Sequence, residues 1–495
     1  MKRFITLFFI FIIACSHTWA TQEMTVPEPV TETQFTVKQL RDDFQFFYRT
    51  LAASQYDLFH RTSKSEYDQA FATALERIDQ PLSLVEAKRY FQQFAALAKT
   101  AHTRIDFPVQ AYREFLERGG KTLPLYLRIS EQGAFVDAYY GAPSVLTQDA
   151  QLTHVNGEPV AVWLKTLFRY LSADNEALMW GLAGEQIPSL LWWHEGEKAE
   201  YQIRFVDTQG RTHEISVPTL NREQQQQFIP AAENDDAGLR QQRMLNAQIA
   251  YLKPGPFYHA EGENIWDTTA FHAFIDEAFQ GFQKANASEL LIDLRGNPGG
   301  TNSFSDHLLA WFADKPFKFA ADFRVKVSQA AMDSNRARLD QSTDPKDVSH
   351  QLAAFYAQHQ NGQTFSFPLP DSQPHTDRRF SGKVYVLIDR FSYSNAVSVA
   401  AIVKDYGFGT VLGEKTADLA TTHGAMEHFT LPETGIVVGF PKALIVRPNG
   451  DTRPDGVSPD VPLKFDSAST AQRDVLKQAM DVITANRSQP KSRAQ

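Results

Sequence analysis

Cysteine is nearly missing: the 495 residues contain one, Cys15, close to the N-terminus. A disulfide framework is thereby excluded, and so is metal or redox chemistry built on thiols. Positive charge is not in excess either. Against 58 Asp and Glu there are 49 Lys and Arg, and the formal net charge of −9 argues against nucleic acid as a partner. After the first twenty residues no stretch is long and apolar enough to span a bilayer. The segment "WWHEGEK" has no second His at i+4, so it is not a zinc motif. No repeat of 20–50 residues is evident.

What is present begins with a signal. Lys2 and Arg3 precede an apolar core at residues 4–14 and then small and polar residues, the pattern of a secretory signal over residues 1–20. The chain is therefore expected to be exported to the periplasm, either soluble or lipid-anchored. Thr18-Trp19-Ala20 fits ordinary cleavage. Ile12-Ile13-Ala14-Cys15 resembles a lipobox, in which Cys15 would carry the lipid.

Periodicity divides the remainder. Val37, Leu40, Phe44, Phe47 and Leu51 recur at three and four, one apolar helix face, and a second helix is expected over 83–98. Residues 35–110 read as an N-terminal helical segment. Short alternating runs over 111–218, around a helical piece near 160–170, read as a β-rich module. The polar, Gln-rich stretch 219–246 reads as a linker. Residues 247–463 alternate strand and helix, which implies a largely parallel sheet with helices packed on it. A polar, helical insertion at 325–375 interrupts it, and 464–495 read as a C-terminal helix and tail.

Two places in the α/β part could carry chemistry. In "LLIDLRGNPGGTNSFSD" a buried strand ends in Asp293 and Arg295 and passes through Asn297-Pro298-Gly299-Gly300 into a helix. Paired glycines there let backbone N–H groups face a ligand, as an oxyanion hole needs; a tight turn requiring positive φ explains them equally. No Gly-Lys-Ser/Thr follows, and the turn is neither a P-loop nor a GxGxxG fingerprint. In "KVYVLIDRFSYSNAVSVAA" the serines Ser392 and Ser394 stand between a strand and a helix. A Ser at such a junction gains from the helix N-terminal dipole, yet capping the helix accounts for it just as well.

Together, "LLIDLRGNPGG", "VYVLIDRFSYSNAVSVAAIVKDYGFGTVLGEKT" and "FTLPETGIVVGFPKALIVRPNGDTRPDGVSPDVPL" resemble the carboxyl-terminal-processing and tricorn-type serine peptidases. The resemblance covers nearly all of 35–463 and is specific over 246–463, looser before that. It implies an α/β fold: a crotonase/ClpP-like core, the N-terminal helical segment, and a PDZ-like module at 111–218. It also implies a peptide or protein substrate and no metal or cofactor. Ser394 matches the nucleophile and Ser392 the residue two before it. Asn395 and Gly299 or Gly300 match the oxyanion donors, and Asp293 and Arg295 the support of that turn.

The departures concern the base. Leu419 stands where the processing branch has its catalytic Lys, Lys415 lies four positions earlier, and Val397 replaces a frequent Glu. The chain is closer to the branch lacking that lysine, which takes a His from far upstream, and "KTAHTRID" supplies His102. His423 and His428 are rival bases. The tricorn pattern's Glu falls on Arg453, leaving Asp455, Asp451, Asp418 and Glu414 as acids that could orient the imidazole. The expected function is an exported serine peptidase working through an acyl-enzyme on Ser394. The alternatives are a non-catalytic ligand- or peptide-binding member of the same fold and a Ser–His esterase.

Overall fold

The computed structural model describes residues 34–142, 144–229, 240–260, 262, 264–340, 348–465 and 471–487. Residues 1–20, read as a secretory signal and including Cys15, and the residues after 487 lie outside the described residues. Among the described residues no helix is long and apolar enough to cross a membrane.

The central sheet has six strands in the order Gln241–Met244, Ile249–Lys253, Glu289–Asp293, Lys383–Ile388, Thr410–Gly413, Val461–Pro462. The first is antiparallel to its neighbour and the others pair in parallel. The parallel strands are apolar runs because both their faces are covered. One face packs on helices Thr269–Lys284, Asn302–Ala310 and Asn395–Tyr406, the other on helix Ala471–Arg487 through Val475, Ala479 and Ile483. Gln241–Met244 falls in the stretch read as a linker. It holds the edge by backbone pairing, with Met244 its one side chain packed on the core, so no hydrophobic pattern marks it.

A second sheet is built on the long hairpin Thr422–Thr430 and Val437–Val446, with Asp322–Lys326, Thr364–Ser366 and the two-residue strand Arg104–Ile105 added to it. The 325–375 insertion does hold two helices, Gln329–Leu339 and Val348–Ala357, but its flanks are strands of this sheet.

Three N-terminal helices, Val37–Ser54, Lys64–Glu76 and Leu84–Ala95, each open on a capping box: Thr36 with Gln39, Ser63 with Glu66, Ser83 with Glu86. A cap of this type contributes about 0.5–2 kcal/mol. Their shared core of Leu40, Phe44, Phe47, Phe91 and Phe94 is completed by Phe429, Val438 and Phe440 from the hairpin. Buried Asp43 accepts the N–H groups of Glu433 and Thr434 at the hairpin's turn, at 2.9 and 2.7 Å. The helical segment is thus closed against the α/β part.

The 111–218 region is an antiparallel sheet, Leu125–Ser130, Gly133–Tyr139, Gln151–Val155, Glu200–Val206 and Thr212–Pro218 in spatial order. Helices Val160–Phe168 and Glu176–Glu195 cover it. The second is twenty residues long and carries Pro188 in its interior. Sequence periodicity misses it because it is apolar on most sides. Gly184 lets it approach the strand Leu125–Ser130: a Cβ there would collide with the Leu127 carbonyl oxygen.

Candidate active site

Strands 289–293 and 383–388 are parallel neighbours, so their carboxyl ends place both expected turns side by side, where α/β sheets bind ligands. Ser392 stitches the turns together. Its Oγ donates to the Leu294 carbonyl at 2.8 Å and accepts the Asp389 N–H at 3.1 Å. Asp389 Oδ1 takes the N–H groups of Gly296 (3.0 Å) and Phe391 (3.1 Å), and burial pushes its carboxyl up to about 6. Asp293 accepts Arg295 N–H (3.0 Å) and Nη2 (2.6 Å) and the Tyr251 hydroxyl (2.9 Å). This carboxylate fixes the exit of its strand.

Ser394 behaves differently. It precedes helix Asn395–Tyr406 yet makes no side-chain cap bond. Its φ of +52° and ψ of −121° are costly for a residue with a Cβ, as at a nucleophile elbow. The backbone is held there by Asp418, whose Oδ2 accepts the Ser394 N–H at 2.5 Å. The hydroxyl is left for another partner: Ser394 Oγ lies 3.4 Å from His102 Nε2, across 292 residues of chain.

The turn carrying His102 is clamped from three sides. Thr103 Oγ1 donates to Gln55 Oε1 (2.7 Å), Ile105 N–H to Gln92 Oε1 (2.7 Å), and Ser172 Oγ to the Thr103 carbonyl (2.5 Å). Ala101 N–H donates to Asp174 Oδ2 at 2.9 Å. Arg104 and Ile105 pair with Gly439 and Val438 of the hairpin. The His102 ring lies over Tyr393, 5.3 Å between centroids at 23°, and Arg104 donates in turn to the Tyr393 hydroxyl. The ring's Nδ1 has no side-chain partner among the described residues. Burial, then the Arg104 charge, pushes His102 down to about 3, while the His423 backbone beside it works in the opposite direction. His102 is therefore neutral at pH 7.

The glycine turn closes against the serine. A Cβ on Gly299 (φ +83°) would sit 2.6 Å from the Tyr393 carbonyl oxygen, 2.7 Å from Asn395 N and 2.8 Å from Ser394 Cβ, so only glycine allows the approach. Gly299 N–H donates to Asn297 Oδ1 at 2.9 Å. Gly300 N–H and Asn395 N–H make no hydrogen bond among the described residues. The pair Gly299/Gly300 is thereby narrowed to Gly300 as the free donor.

The other candidates are placed elsewhere. Lys415 is half exposed, with Nζ 2.5 Å from Asp455 Oδ1, and Leu419 is buried. Glu414 pairs with Arg390 and Asp451 with Arg453. The His423 ring packs on His60, 4.2 Å between centroids. Of the four acids considered, only Asp418 reaches the site, and through Ser394's backbone rather than through the imidazole. Asp174, which sequence inspection did not single out, lies close enough to raise Asp418 electrostatically. Nothing in "SADN" marks it, since an Asp before a helix is ordinarily a capping residue.

Asp418 yields a pH prediction. Burial foremost, and then the Asp174 charge, pushes its carboxyl up to about 7. An unfolded Asp titrates near ~3.9. Between those values the folded chain holds a proton that the unfolded chain has lost, so the group's contribution to stability declines as pH rises through that window. Asp418→Asn keeps an oxygen for the Ser394 N–H and removes the charge. We expect it to exceed wild type in stability by on the order of 2–4 kcal/mol at pH 8, with the gap closing toward pH 4. Denaturant melts at both pH values measure this, and a variant weaker than wild type at pH 8 contradicts it.

The fold and this geometry set a strained serine at a helix start beside a glycine turn and a buried imidazole. The sequence of residues 250–463 matches the model of peptidase family S41. The match covers the α/β core, which is that of a serine-type peptidase. No curated protein sequence matches the chain. Among solved structures it is similar to mature CPAF complexed with lactacystin, with 17% identity, a TM-score of 0.64, and 90% of this chain and 97% of that chain covered. A second structure of mature CPAF gives 16% identity and a TM-score of 0.61, covering 90% and 96%. The photosystem II D1 C-terminal processing protease gives 14% and 0.46, covering 88% and 96%.

Proposed function

We propose that this peptidase is exported and cleaves peptide bonds through an acyl-enzyme on Ser394, with His102 as its base. The observation that carries the reading is the 3.4 Å approach of Ser394 Oγ to the neutral, buried His102 Nε2. That distance is longer than the ~2.6–3.2 Å of a working proton transfer and is expected to tighten when substrate fills the site. Ser394 Oγ–H donates its proton to Nε2 as oxygen attacks the carbonyl carbon. The oxyanion is received by the N–H groups of Asn395 and Gly300, and the helix N-terminus favours its charge. The imidazolium then protonates the leaving amine, and water repeats the sequence on the ester. No carboxylate bonds the imidazole among the described residues, and the pair is a Ser–His dyad. The stack on Tyr393 and the His423 backbone orient the ring in place of an acid.

Export rests on Lys2, Arg3 and the apolar stretch that follows them. The assay that tests the function is turnover of an unfolded polypeptide by the secreted chain, beside small esters. Cleavage of the polypeptide is expected. Ester turnover without peptide cleavage assigns an esterase instead, and neither activity assigns a binding protein.

A further inference from the structure

We propose a divalent transition-metal site, fitted to Zn2+, formed by Asp276, His307 and His375 and separate from the serine centre. One ligand atom from each of the three lies within 4.8 Å of the other two. They come from three pieces of chain: helix Thr269–Lys284, helix Asn302–Ala310, and the extended segment that ends the 325–375 insertion. Two imidazoles and one carboxylate are the donor set of many zinc sites, which bind at ~2.0–2.2 Å and leave a fourth position to water. A harder ion such as Mg2+ prefers all-oxygen ligands. Two imidazoles beside one carboxylate favour a borderline ion.

The side chains are held as ligands are held. Asp276 Oδ1 accepts His307 Nε2 at 2.6 Å and Trp311 Nε1 at 2.9 Å. The indole N–H orients the carboxylate, a typical outer-shell contact. The His272 ring, one turn before Asp276, stacks on His307 at 4.0 Å and 22° and bonds the Ser303 carbonyl, which fixes the His307 plane. His375 donates its backbone N–H to Ala310 at 2.9 Å, and its ring stands edge-on to both Trp311 and His307. Its Nε2 is buried and has no hydrogen-bond partner among the described residues. A buried imidazole nitrogen without a partner is costly, and an ion supplies one. His307 and Asp276 keep 18% and 28% of their side chains exposed, so the cluster can be reached from solvent.

One charge opposes binding. Arg378 Nη1 lies 3.5 Å from Asp276 Oδ2, with its guanidinium over the Trp311 ring, and the side chain is 45% exposed. An ion displaces the proton between His307 and Asp276 and moves Arg378 outward. Bound, it would tie the helix that follows the Gly299-Gly300 turn to its neighbouring helix and to the end of the insertion.

The test is isothermal titration of the EDTA-treated full chain with ZnCl2. One ion per chain is expected. His375→Gln and Asp276→Asn are expected to weaken it by about 100-fold or more, while Arg378→Ala tightens it. Circular dichroism checks that each variant is folded. Co2+ in the wild type should show the visible bands of a nitrogen-ligated ion, and His375→Gln should lose them. Absence of wild-type binding, or an affinity unchanged in folded His375→Gln, overturns the site. Should His375→Gln and Asp276→Asn both misfold, Arg378→Ala decides: an unaltered affinity there overturns it as well.

Discussion

Peptide hydrolysis by Ser394→Ala falls on the order of 10^4–10^6-fold in kcat, with the polypeptide still bound and the fold intact. The size follows from what the hydroxyl does. Ser394 Oγ is the oxygen that would carry the acyl group, and no other described Ser or Thr is hydrogen-bonded to His102. The fold should survive because the hydroxyl caps nothing: the helix begins without a side-chain bond from Ser394. The backbone, strained at φ +52°, is held by Asp418 through an N–H that alanine retains. A structural serine predicts the reverse, destabilisation with activity retained. Thermal melts beside kcat separate the two, and a residual activity above about one hundredth of wild type would sink the nucleophile assignment.

His102→Gln is expected to be nearly as damaging, since removing the base from such a pair costs about as much as removing the nucleophile. The loss should fall on kcat rather than on KM, because the buried ring faces Ser394 Oγ and is packed by Tyr393. Burial gives this prediction a pH signature. The base works in its neutral form, and its protonation is displaced far below the usual ~6.5 of histidine. The acid limb of kcat/KM in the wild type should accordingly lie well below pH 6.5, with activity persisting into mildly acidic solution. His423→Gln removes the rival ring, which packs on His60, and is expected to leave kcat within a few-fold.

How much of this could be read in the sequence depended on whether one residue pattern had one physical meaning. The helix Val37–Ser54 was legible because its apolar residues fall on one face, and the strands ending at Asp293 and Ile388 because both their faces are buried. Helix Glu176–Glu195 was not, since a helix apolar on most sides shows no stripe. The edge strand Gln241–Met244 was not, since its pairing is made by backbone.

The serines were the ambiguous case. A Ser at a helix start serves equally as cap and as nucleophile, and composition cannot separate the two. The hydrogen bonds separate them: Ser392 spends its hydroxyl on the backbone of both turns, and Ser394 caps nothing and faces an imidazole. The role of Asp418 was illegible for another reason. It acts on a backbone N–H 24 residues away, and sequence carries no mark of such a bond. The hairpin that completes the helical core and docks Arg104–Ile105 beside His102 is a tertiary fact of the same kind.

The most direct test of a Ser394–His102 peptidase is the rate and site of fluorophosphonate labelling, read by mass spectrometry of peptides from wild type, His102→Gln and Lys415→Ala. The account predicts a single adduct on Ser394, formed at the same rate in wild type and Lys415→Ala and slowed at least about 10^3-fold in His102→Gln. An adduct on another residue, or labelling that survives His102→Gln and is lost in Lys415→Ala, would contradict it.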